Sequence, residues 1–149
     1  MKKKILFIIN PISGTVSKAR IPDAIDKYLD KDKFEYNITE TAYAGHATEL
    51  ARQASADGYD IVVAIGGDGT VNEVARAIVH TQTALAIIPR GSGNGLARHL
   101  LIPINVKKSI AMINACKIHK LDYGMINEHP FFCTCGMGFD AFISQKFAE

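Results

Sequence analysis

Gly66-Gly67-Asp68-Gly69-Thr70 stands directly after the apolar run Ile61 to Ile65. A turn so poor in side chains lets backbone amides approach an anion closely. Thr70 lies three residues before Glu73, and Val74, Ala77 and Ile78 follow, which predicts a capping box at a helix start. The first-turn amides of that helix would face back toward the loop, an arrangement suited to phosphate. Asp68 is the odd member, because a carboxylate beside a phosphate repels it unless a cation or a ligand hydroxyl bridges the two. It therefore reads as an organiser of a magnesium-bound nucleotide, with a simple turn cap as the competing role. Asn72 falls in the first helical turn and can reach the same pocket or cap locally.

A second such turn, Pro89-Arg90-Gly91-Ser92-Gly93-Asn94-Gly95, follows the apolar run Ala84 to Ile88. Ser92 and Asn94 add a hydroxyl and an amide suited to phosphate or ribose, and Arg90 and Arg98 are either phosphate clamps or surface cations. A third turn, Asn10-Pro11-Ile12-Ser13-Gly14-Thr15, ends the run Ile5 to Ile9. One polar turn is ordinary architecture. Three after three apolar strands imply a shared pocket, provided the strands are parallel and adjacent. No G-x-x-x-x-G-K-[ST] is present, and Leu96 stands where the third glycine of G-x-G-x-x-G belongs. His46, next to Gly45 at an expected helix start, is a further ligand candidate, but the five histidines show no metal-ligand spacing. Cys116, Cys133 and Cys135 form neither a zinc pattern nor a disulfide framework, and read as buried reduced thiols of a cytoplasmic protein.

The elements that must position these turns are legible. Lys4 to Ile9, Phe34 to Thr39, Ile61 to Ile65 and Ala84 to Ile88 read as strands. Between and after them, Ala19 to Leu29, Ala44 to Ala56, Val71 to Val79, Gly95 to Leu101 and Val106 to Ala115 read as helices, with Pro22 in a first turn. The alternation predicts an α/β fold with a mostly parallel sheet flanked by helices. After about Lys120 two short strands are expected, Tyr123 to Ile126 and Phe131 to Cys135, joined across Asn127 to Pro130. With 17 basic and 15 acidic residues the charge is too balanced to favour nucleic acid, and no segment reaches the ~20 apolar residues of a membrane span. The basic run Lys2 to Lys4 reads as a solvated terminus.

The segments NPISG (Asn10 to Gly14), TAYAGHA (Thr41 to Ala47), GGDGTVNEV (Gly66 to Val74) and PRGSGNGLAR (Pro89 to Arg98) together resemble the catalytic domain of the diacylglycerol kinase family, as do LDYG (Leu121 to Gly124) and GMGFDA (Gly136 to Ala141). GGDG alone is shared with NAD kinases and phosphofructokinases, whose N-terminal domain is of the same general kind. The resemblance implies a nucleotide-binding domain over residues 1–120. It also implies that residues 121–149 begin a β-sandwich lipid-binding domain, incomplete here, that carries the general base. It implies ATP and magnesium as cofactors, with Asp68 as metal ligand and catalytic organiser. Asn10, Gly14, Thr41, Gly66, Gly67, Asp68, Gly69, Thr70, Asn72, Gly91, Ser92, Gly93 and Asn94 would line the nucleotide site. The substrate would be a lipid hydroxyl, of a diacylglycerol or sphingoid kind, met by a cytoplasmic protein at a membrane surface. The alternatives are a soluble-metabolite kinase of the NAD kinase or phosphofructokinase kind, and a non-catalytic nucleotide-binding module. Exposed strands of the second region can also pair with a neighbouring copy, which leaves a homodimer open. Gly67→Val is expected to harm nucleotide binding before it harms the sheet.

Overall fold

The computed structural model describes residues 1–13 and 19–133. Four strands, β1 (Lys3–Ile9), β2 (Phe34–Glu40), β3 (Ile61–Gly66) and β4 (Ala84–Pro89), form one parallel sheet in the order β2-β1-β3-β4. All six residues of β3 are buried, because helices cover both faces of this central strand. Successive side chains point to opposite faces, so one apolar run feeds two cores. Ile5, Phe7 and Ile9 of β1 join Ile61, Val63 and Ile65 of β3 on one face, while Leu6, Ile8, Val62 and Ala64 line the other.

Helices α1 (Ile21–Tyr28) and α5 (Val106–Ala115) cover the first face through Ile21, Ile25, Ile110 and Ile113. Pro22 sits in the first turn of α1, where its missing amide has no intrahelical partner to lose. Asn114 joins these two helices across 86 residues. Its amide nitrogen donates to the Tyr28 carbonyl (2.8 Å) and its oxygen accepts from the Asp30 amide (3.0 Å), closing the C-terminal end of α1. Helices α2 (His46–Ala56), α3 (Asp68–Ile78) and the short α4 (Gly95–His99) cover the second face. The α2 stripe is Ala47, Ala51 and Ala54, all buried, and these small side chains let α2 lie close to its neighbours.

Helices α1 and α2 each begin two residues later than expected, at Ile21 and His46, and three further shifts have a visible cause. The α3 helix begins at Asp68, not after Thr70, because the Val71 amide already bonds the Gly67 carbonyl (3.1 Å). The α4 helix ends at His99, not Leu101. There Leu101 turns left-handed (φ +56°), and the Leu101 and Ile102 amides bond the carbonyls of Arg98 and Ala97. The last two strands are β5 (Gly124–Ile126) and β6 (His129–Phe131), so the second starts two residues earlier than expected. Asn127 and Glu128 both take positive φ (44° and 66°), which makes a tight two-residue hairpin turn and draws His129 and Pro130 into the strand. This hairpin lies on α3. Arg76 Nε donates to the Pro130 carbonyl (2.9 Å), and the Tyr123 hydroxyl is hydrogen-bonded to His80 Nε2 (2.8 Å). Phe132 packs on the second core. The expected strand end at Cys135, and the segment Gly136 to Ala141, lie outside the described residues.

Two substitutions test this core. Ile65→Ala, at a fully buried position of the central strand, should lower unfolding free energy by about 2–5 kcal/mol in urea titration. Asn114→Ala, which strips both long-range bonds at the end of α1, should lower it by about 1–3 kcal/mol.

Candidate functional site

Parallel pairing fixes where the polar turns go. Since β1, β3 and β4 run together as neighbours, the turns after them meet on the C-terminal rim of the sheet. The turn after β2 joins them through the Thr41 amide, which bonds the Ile9 carbonyl (2.8 Å). The Asn10 amide bonds the Ile65 carbonyl (3.0 Å), and the Arg90 amide bonds the Gly66 carbonyl (2.7 Å). Four turns thus stand side by side, tied by main-chain bonds.

The glycines divide into two kinds. Gly66, Gly67 and Gly91 are demanded by packing. A Cβ on Gly66 would overlap the Thr70 side chain, and one on Gly91 would overlap the Gly67 Cα. A Cβ on Gly67 would lie 3.1 Å from the Gly91 Cα. The turns after β3 and β4 therefore touch backbone to backbone. Gly69 is different, because an added Cβ there meets nothing within 4 Å. Its missing side chain keeps open space beside the first turn of α3. Gly67→Val would press on the Gly91 turn, so it bears on the packing of the two turns as well as on the expected binding loop.

Asp68 is exposed and occupies the first helical position of α3. Its carboxylate faces the second turn: a Cβ on Gly93 would come within 2.9 Å of Oδ2, and one on Gly95 within 3.6 Å of Oδ1. No side chain caps the N-terminus of α3, so its first-turn amides are donors without intrahelical acceptors. The expected capping box does not form. The Thr70 hydroxyl instead accepts from Asn10 Nδ2 (3.0 Å), and the Glu73 carboxylate accepts from the Gly45 amide (3.2 Å). Both side chains serve as cross-ties between turns. Glu73 thereby holds the β2 turn, a role sequence reading missed because the S/T-x-x-E pattern offered a local use for it.

Asn94 is buried and left-handed (φ +56°). Its amide is committed to the turn, accepting from the Gly91 amide (2.8 Å) and donating to the Gly91 carbonyl (2.7 Å). Ser92 and Gly93 are left exposed on the outside of that turn. Arg98 Nε donates to the Gly93 carbonyl (2.8 Å) and braces the loop, whereas Arg90 Nε is buried without a partner. Asn10 also folds its own turn, since Oδ1 accepts from the Ile12 amide (3.1 Å). Gly14 lies outside the described residues.

Thr41 and Asn72 are half-buried at the rim side of their elements. His46 stacks on Tyr43 (4.6 Å between rings), and its Nδ1 accepts from the Ala42 amide (3.0 Å). The Tyr43 hydroxyl donates to the Glu49 carboxylate (2.8 Å), which pushes the phenol pKa upward and keeps it protonated. Cys133 is exposed and Cys116 half-buried, so the expected burial of these thiols does not hold. The Cys133 sulfur stands 3.0 Å from where a Gly95 Cβ would be, an approach no periodicity announces. Among the described residues no three His, Cys, Asp or Glu side chains gather as a metal site. Two open concavities of about 340 and 300 Å³ lie at the other rim, around Lys4, Tyr36 and Tyr59 and around Lys3, Lys33 and Cys116.

Such a rim can hold a polyanion. Residues 4–126 match the family described as the diacylglycerol kinase catalytic domain. A diacylglycerol kinase of Staphylococcus saprophyticus is 35% identical over 134 residues, covering 88% of this chain and 44% of that protein. One from Staphylococcus aureus (strain Newman) is 36% identical over 134 residues, covering 88% and 42%. A crystal structure of a diacylglycerol kinase from Bacillus anthracis superposes with a TM-score of 0.73 at 27% identity, covering 87% of this chain and 48% of that one. The chain thus spans less than half the length of these relatives. No helix among the described residues is long and apolar enough to cross a membrane.

The two kinds of glycine predict opposite behaviour. Gly91→Ala should lower unfolding free energy by about 1–3 kcal/mol through forced separation of the turns. Gly69→Ala, in open helical space, should leave it unchanged or raise it by up to about 1 kcal/mol. Thermal and urea unfolding of both variants check this.

Proposed function

This chain belongs to the diacylglycerol kinase catalytic domain family, and from that membership we propose that its parent protein transfers the γ-phosphoryl group of ATP to a lipid hydroxyl. The observation that carries the reading is the contact of the Gly67 and Gly91 main chains, which sets the Asp68 carboxylate against an amide-rich turn at the C-terminal rim. Residues 1–120 are the nucleotide-binding part in this proposal, and the chain after about residue 120 opens a β-rich lipid-binding domain.

The donor set fits magnesium-bound ATP. Asp68 is exposed and lies beside main-chain donors, and magnesium is commonly held by one or two carboxylates together with nucleotide phosphates. Asp68 would hold the metal, which when bound offsets charge on the phosphate oxygens. The first turn of α3, kept open at Gly69, would receive phosphate oxygens through its amides. Ser92 and Gly93, on the exposed side of the second turn, would meet the nucleotide, while Asn94, Asn10 and Thr70 hold the turns in place from behind. Fixed donors at the site lower the barrier without reorganising. Proton removal from the lipid hydroxyl is assigned to the second domain. The protein would act from the cytoplasmic side at the membrane surface.

In the full-length parent protein, Asp68→Asn should cut lipid phosphorylation by about 10²-fold or more while lowering unfolding free energy by no more than about 1 kcal/mol. Labelled ATP offered with diacylglycerol, sphingosine and NAD checks both the residue and the acceptor. Transfer to NAD alone would replace the lipid reading with a soluble-metabolite kinase. ATP binding without transfer to any acceptor would favour a nucleotide-binding module.

A further inference from the structure

The connector between α4 and α5 carries apolar side chains that the fold does not use. Leu101 is 84% exposed, Ile104 48% and Leu100 36%, all within five residues. Leu101 also sits in left-handed backbone (φ +56°) at the end of α4, the conformation in which glycine is strain-free and a leucine is rare. An exposed leucine in a strained position is unfavourable twice over for a soluble surface. Nothing in the packing of the described residues offsets either penalty.

Charge supplies the second observation. Residues 74–121 hold seven Lys or Arg and no Asp or Glu, although the whole chain is nearly balanced. Arg98 and His99 flank the apolar tip on one side and Lys107 and Lys108 on the other, all exposed. Lys107 is partly engaged, since its ammonium lies over the Tyr28 ring (5.2 Å). Lys108 lies in the first turn of α5, whose N-terminus is closed by Asn105 accepting from the Lys108 amide (3.1 Å). Apolar side chains flanked in sequence by Arg98, Lys107 and Lys108, with no acid in the segment, complement a surface of anionic headgroups over hydrocarbon.

Position supplies the third. The α4 helix is five residues long and starts at Gly95, beside Asp68, so its far end is only about 8 Å along the axis from the rim. The basic run at Lys2 to Lys4 opens β1, at the strands' other end. The α4–α5 connector joins charge, apolar surface and closeness to the candidate site.

We propose that the α4–α5 connector, tipped by Leu101, docks on an anionic bilayer and holds the C-terminal rim of the sheet against it. The proposal rests on the lipid-kinase reading for its purpose, since a membrane-borne hydroxyl must reach the nucleotide turns. Its chemistry rests on the connector alone.

The test uses the full-length parent protein and co-sedimentation, without nucleotide, on phosphatidylcholine vesicles with and without phosphatidylglycerol. Leu101→Gly should weaken vesicle partition about tenfold, the loss of one inserted leucine side chain, while its unfolding midpoint stays level or rises. Lys108→Gln should weaken partition about fivefold on the anionic vesicles only. ATP affinity should be unchanged in both. Wild-type partition by Leu101→Gly would overturn the proposal. So would a Leu101→Cys thiol that resists labelling in the folded parent protein, because another part of the protein would then cover the connector. Vesicle binding lost as expected in a protein that phosphorylates no lipid would sustain the docking surface and remove the kinase reading.

Discussion

The site depends on one close approach, that of the Gly67 and Gly91 main chains. A side chain on either residue would separate the turns that follow β3 and β4. The sheet cannot hold those turns together by itself, because its ladder of parallel bonds stops at Gly66 and Pro89. Beyond that line the Arg90 amide bonds the Gly66 carbonyl, and Asn94 folds the second turn back on Gly91 through its side-chain amide. These bonds hold main chain against main chain, and the Asp68 carboxylate is set against Gly93 and Gly95 as a result. The turns after β1 and β2 are then fastened to the same assembly through Asn10 with Thr70 and Gly45 with Glu73.

Electrostatics explains why this arrangement suits a bridged polyanion better than a bare one. Asp68 occupies the first position of α3, where the partial positive charge of the helix end favours a carboxylate. That same helix end is the natural seat of a phosphate. Two anions competing for one helix terminus repel each other unless a cation lies between them. Among the described residues Asp68 belongs to no cluster of three possible metal ligands, so a bound cation would draw other ligands from the nucleotide's own oxygens. On the proposed reading, the ligand would arrive with its metal.

Much of this was readable from residue order, and the failures have a common cause. The β3 run of Ile61 to Ile65 is apolar throughout because it faces two cores, and α5, Val106 to Ala115, was legible as a helix following Pro103. The gathering of the turns on one rim follows from parallel neighbours, which strand-helix alternation implies. The start of α3 was misplaced because Thr70 and Glu73 satisfy a local capping pattern. Their side chains instead find partners 60 and 28 residues away. Asn94 looked like a ligand group and is a hinge pin of its own turn. The start of β6 was misplaced because Asn127 and Glu128 form a two-residue turn in which Glu128, a poor candidate by type, takes positive φ. In each case a local motif competed with a long-range or conformational demand, and the latter prevailed.

The shortness of α4 ties the rim to the surface beyond it. Its first residue, Gly95, stands at Asp68, and its last, His99, is followed at once by the left-handed turn at Leu101. Both ends are pinned, by Arg98 Nε on the Gly93 carbonyl and by the Ile102 amide on the Ala97 carbonyl. Leu96 and Ala97 bury the middle against the second core. So short a segment, held at three points, links the connector directly to the turn at Gly93. Contact with a surface at Leu101 would therefore bear on the space beside Asp68 through the backbone of one helical turn and a half, with no side-chain relay required.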